Sequence, residues 1–133
     1  MTDVLSTTHE WLSYAASIVV LAAALIASRN AKDASEFRPG LYVGAMVLID
    51  IVVTLGIVLY VLREAWNFRP EIAYLHPALA IAGLAVGHVF VGRAKRTQLA
   101  VEAHGAARRG LLLALLGVLA AIGVASAPPF LPF

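Results

Sequence analysis

Four histidines and one aspartate stand within, or at the ends of, long apolar runs: His9, Asp50, His76, His88 and His104. An ionisable side chain in hydrocarbon is costly and turns toward another polar group, a wet cavity or a cofactor. Imidazole is also the commonest metal ligand, and two imidazoles at one depth can hold a haem b edge-on between helices, one on each face of the ring. His9 and His76 share one level near one end of the runs, while His88 and His104 lie toward the other. Asp50 is about 13 Å and His88 about 7 Å from the same boundary at 1.5 Å of rise per residue, so the two are within reach of each other, directly or through a water, as a hydrogen-bonded or proton-carrying pair. His76 and His88 are about 18 Å apart along one helix but turned by about 120°, more than two haems stacked on one face would prefer.

These residues need a scaffold, and the composition names it. The chain has 133 residues, is 61% hydrophobic and only 14% charged, and has a mean hydropathy of +0.86. That is far from the soluble balance. Four apolar runs, at about 10–28, 40–62, 74–92 and 110–127, each approach the ~20 residues that a helix needs to cross a bilayer. The expected fold is all-α: one domain over residues 1–133, an integral membrane bundle of four transmembrane helices. The first run follows Asp3, His9 and Glu10, with no cation before Arg29, so it is read as a retained span and not a signal peptide.

The links carry the topology. Segments 29–39 and 93–109 hold eight of the ten Lys and Arg residues (Arg29, Lys32, Arg38, Arg93, Lys95, Arg96, Arg108, Arg109), against Arg63 and Arg69 on the opposite side. The positive-inside rule places the basic links in the cytoplasm and both chain ends outside, in a cell inner (plasma) membrane. Trp11, Trp66 and Tyr74 gather at the outer boundary, as interfacial aromatics do. Pro39 and Pro70 mark helix starts. The proline-free 93–109 stretch lets the fourth helix begin before Gly110, and the PPFLPF tail cannot continue it.

Small residues predict close helix contacts: Gly83 and Gly87 in the third span, Gly40 and Gly44 in the second, and Gly110, Gly117 and Gly123 in the fourth. Gly87, beside His88, leaves space for a ring. With no cysteine in the chain, disulfides, thiol catalysis and thiolate-held metal are excluded. Phosphate-binding, HExxH and GxSxG motifs are absent, and the cations form no basic face on a soluble module, which argues against nucleic acid. Asp50 is the one membrane-embedded acid a small transporter would use, but the eight-to-two cation asymmetry is unlike that of dual-topology exporters.

In four short spans, histidines near opposite ends of one helix and the glycine-flanked GHVFVG stretch, the chain resembles small four-helix membrane b-type cytochromes. The resemblance implies a haem b ligated by His88, His104, His76 and His9, with His88 and His76 as leading metal ligands. The functional expectation is a small membrane electron-transfer subunit, with quinone and other membrane subunits as possible partners. An imidazole also ligates the magnesium of a chlorophyll. The alternative is a cofactor-free accessory subunit that fills or seals a larger respiratory or photosynthetic complex. Whether the chain is an enzyme is left open.

The orientation is testable, because the chain has no native thiol. A cysteine placed at Ser35 should be shielded from an impermeant thiol reagent in intact cells, while one at Asn67 should react. Labelling in the reverse order overturns the topology.

Overall fold

The computed structural model describes residues 1–126; the PPFLPF tail lies outside the described residues. Four α-helices make up almost the whole: α1 (Thr2–Lys32), α2 (Gly40–Leu62), α3 (His76–Ala94) and α4 (Ala100–Ser126). All four are long and apolar enough to cross a membrane, α3 together with the turn before it. Successive helices run antiparallel, with α4 between α3 and α1 and α2 between α1 and α3, so α1 and α3 face each other across a diagonal. The α1–α2 and α3–α4 links form the basic end of the bundle. The chain start, the α2–α3 link and the end of α4 form the far end.

Several boundaries differ from the hydropathic spans, for local reasons. α1 begins eight residues before its apolar run, and the hydroxyls along its first half bond within the helix. Thr8 donates to the Val4 carbonyl at 2.8 Å, Ser13 to His9 at 2.6 Å and Ser17 to Ser13 at 2.8 Å. At the other end Ala34, at φ 48°, takes the left-handed position that glycine usually fills after a helix, and Ser35 N–H reaches back to the Asn30 carbonyl at 3.0 Å. Pro77 lies within the first turn of α3, where its ring would crowd the carbonyl four residues earlier. The turn ahead of it, Glu71–Leu75, is widened to π-helical geometry. As expected from the proline-free link, α4 starts ten residues before Gly110.

Alanines recur through the core, beside a few large side chains such as Tyr42, Ile49 and Leu115. Ala23, Ala24 and Ala27 of α1, Ala45 and Met46 of α2, and Ala107, Leu111 and Ala114 of α4 are buried together. Larger apolar side chains such as Ile18, Leu25, Ile51, Val89 and Leu116 point outward, where lipid receives them. Trp11, Trp66 and Tyr74 are exposed at the far end. Lipid tails are as apolar as leucine, so helices here gain little by hiding large side chains and much by close backbone contact.

The closest contact is between α3 and α4. A methyl group on Gly117 would lie 2.6 Å from Gly83 Cα, and one on Gly110 would lie 2.7 Å from Phe90 Cβ. The space beside Gly87 is not open to a cofactor ring: a methyl there would meet Met46 Cε at 2.6 Å and Ala114 Cβ at 2.9 Å. Gly40, Gly44 and Gly123, by contrast, have nothing within 4 Å of an added methyl. The small-residue motifs of α3 and α4 are used inside the bundle, apart from Gly123; that of α2 is not.

Gly117→Ala should therefore force α3 and α4 apart and destabilise the protein by about 1–3 kcal/mol, while Gly123→Ala should be near neutral. Thermal unfolding of both variants in detergent checks the contrast.

Candidate functional site

The helices sort the four histidines into three different environments. At the far end His9 of α1 and His76 of α3 meet across the bundle diagonal, their ring centroids 6.4 Å apart and their planes at 78°. Gly56 of α2 makes room: a methyl there would lie 3.0 Å from His9 Cε1. His76 donates its Nδ1–H to the Ala121 carbonyl at 2.8 Å, because a carbonyl can only accept, and this leaves Nε2 with its lone pair free. The His9 Nδ1 is buried without a hydrogen-bond partner. Buried polar atoms are nearly always paired, so an orphan of this kind calls for an explanation.

Both rings line a cavity of about 320 Å³ between the four helices. Its walls are mostly apolar, among them Val53, Ile57, Ile81 and Val118, with Ser6, Ser13, Tyr60 and Arg63 adding a few polar groups. Arg63 also bonds the Asp3 carboxylate at 2.8 Å. That pair is too exposed to contribute much stability, but it places a guanidinium beside the cavity.

At the basic end His104 bonds other residues and does not face His88. It is 1% exposed and is held at both nitrogens. Nε2–H donates to the Ser35 carbonyl at 3.1 Å; Nδ1 of the neutral ring then accepts from the Tyr42 hydroxyl at 2.8 Å, and Tyr42 accepts from Asn30 at 3.3 Å. Phe37 closes the cluster, 5.1 Å from the His104 ring. Neither nitrogen of His104 has a lone pair left for iron. The chain of bonds ties α1, the α1–α2 link, α2 and α4 together at the basic end.

His88 does not meet His104 either. Its Nε2 lies 2.8 Å from Asp50 Oδ1, with the two side chains 50% and 38% exposed on the lipid-facing seam between α2 and α3. The depth count thus located the contact, and the 120° turn along α3 explains the rest: with His76 directed into the bundle, His88 is carried to its surface. Among the described residues no group of three or more His, Asp or Glu could enclose a metal ion.

Sequence reasoning passed over Tyr42, Phe37, Ser35 and Asn30. A signal was present, since a tyrosine three residues into an apolar span must find a partner for its hydroxyl, and His104 is one of only two imidazoles near that end. No family model, curated protein or solved structure matches the chain.

Tyr42→Phe removes one acceptor and one donor from a buried chain and leaves His104 Nδ1 and Asn30 Nδ2 without their partner. The expected loss of stability is about 1–3 kcal/mol, read as a lowered midpoint of thermal unfolding in detergent.

Proposed function

We propose that this protein is a small integral-membrane electron-transfer subunit whose cofactor site is the far-end cavity, with a haem b held between His9 and His76. The observation that carries the reading is the facing pair of imidazoles. Two rings on opposite sides of one metal, at about 2.0 Å per metal–nitrogen bond and about 1.1 Å from nitrogen to ring centre, stand roughly 6 Å apart, against 6.4 Å here. An edge-on aromatic contact alone would give a similar spacing, but it accounts neither for the orphaned His9 Nδ1 nor for the adjoining cavity.

The remaining features fit the same site. The Ala121 carbonyl fixes the tautomer and orientation of His76, as outer-shell carbonyls do for metal-binding histidines. Arg63 supplies a cation for an acidic edge of the ligand, and the apolar walls keep water away. Haem b carries single electrons; the protein would set its potential through the two histidines and the low polarity around them. In this reading the cavity belongs to the outer leaflet, since the eight-to-two distribution of cations puts the basic end in the cytoplasm.

The cavity volume favours a second ligand of the same redox class. At about 320 Å³, it is near the lower bound of ~300–1,000 Å³ for small-molecule sites. It accommodates a single quinone ring more readily than a whole macrocycle, with the Tyr60 hydroxyl as a donor to a quinone oxygen and His76 Nε2 as an acceptor for the hydroxyl of the reduced quinol.

Absorption spectra separate these readings. Protein expressed with ample haem should show a Soret band that shifts on dithionite reduction; His76→Ala or His9→Ala should abolish it, and His88→Ala should leave it intact. A colourless protein removes the haem, and a quinone that co-purifies with the wild type but not with His76→Ala favours the second reading. Colourless protein with no bound quinone leaves the cofactor-free accessory subunit.

A further inference from the structure

The Asp50–His88 pair is in an unexpected place for two ionisable side chains. Asp50 is the eleventh residue of the 23-residue α2, close to the middle of the span. The pair is half exposed, and the neighbouring Val47 and Ile51 of α2 and Val89 of α3 are exposed as well. In the isolated chain this surface faces hydrocarbon, where polar side chains are rare and normally turned inward. Their bond to each other uses one imidazole nitrogen and one carboxylate oxygen. His88 Nδ1 and Asp50 Oδ2 make no further hydrogen bond among the described residues.

We propose that the α2–α3 seam is a dimer interface, and that its occupant is a second copy of this chain. The pair is self-complementary. A twofold axis along the membrane normal keeps each residue at its own depth and brings a second Asp50–His88 pair opposite the first. With the imidazoles protonated, each His88 donates one N–H to its own Asp50 and the other to the second copy's Asp50. Two carboxylates and two imidazolium groups then close a ring with no net charge and no unused N–H. A partner of different sequence would have to bring both an acid and a base to that depth; a second copy brings them by symmetry. Gly40 and Gly44, which make no contact inside the bundle, lie on the neighbouring part of the α2 surface and let a facing helix come close. The proposal rests on the polar pair alone and holds whatever occupies the far-end cavity.

Because the chain has no cysteine, single-cysteine cross-linking in membranes tests it. Val47→Cys, one turn from Asp50 on the seam, should form a disulfide-linked dimer on oxidation. Leu116→Cys, on the exposed side of α4, should cross-link at least ten-fold less. Adding Asp50→Leu and His88→Leu to the Val47→Cys chain should reduce the cross-linked dimer to the Leu116→Cys level, with helical content by circular dichroism unchanged. The inference is overturned if Val47→Cys remains monomeric or links only to a different protein, if Leu116→Cys cross-links equally well, or if the dimer persists without the polar pair. Should the triple variant fail to fold, the contrast between the two single variants still decides.

Discussion

Hydrocarbon supplies no hydrogen bonds, and the rest of the structure depends on that constraint. It forces the backbone into helices that satisfy themselves, and it requires each polar side chain along the spans to find a partner within the protein. Thr8, Ser13, Ser17 and Ser28 bond the carbonyl four residues back. Tyr42 and His104 bond each other, Asp50 bonds His88, and His76 bonds Ala121. Among the histidines His9 has a buried nitrogen with no partner, and that nitrogen is at the cavity. The functional reading therefore begins from the histidine whose unpaired nitrogen is buried.

The same solvent explains why the helices meet through so many alanines and glycines. With little hydrophobic reward for burying large side chains, α3 and α4 are held by backbone approach at Gly83 and Gly117, and α1 contributes a row of alanines. Close packing at Gly83, Gly87, Gly110 and Gly117 contrasts with the cavity at the far end. There Gly56 is occupied by the His9 ring and not by a neighbouring backbone. The cavity thus follows from where the small residues stop being matched by close-packed partners.

Four chemically identical side chains acquire three roles from their surroundings. His104, in a basic link that reads as solvated, is the most buried of them, because the α1–α2 link folds back over it with Ser35 and Phe37. His88, deep in an apolar run, is the most exposed, because its rotation along α3 points it at lipid. Depth in a membrane and burial in a protein are different quantities, and only the second decides whether an imidazole can hold a ligand inside the bundle.

The sequence by itself determined the helices: four apolar runs, their approximate ends, the early start of α4 and the uneven distribution of cations all follow from hydropathy, proline and charge. It also located the Asp50–His88 contact, since depth at 1.5 Å per residue is arithmetic on a straight helix. Tertiary structure alone decided which faces meet. Helix rotation and the order α1–α2–α3–α4 around the bundle are set by contacts between residues far apart in the chain, such as Gly83 with Gly117 or His104 with Ser35, and no local pattern encodes such pairings. For that reason the histidine levels were legible in the sequence, while the pairing of His9 with His76, the sequestration of His104 and the outward turn of His88 were not.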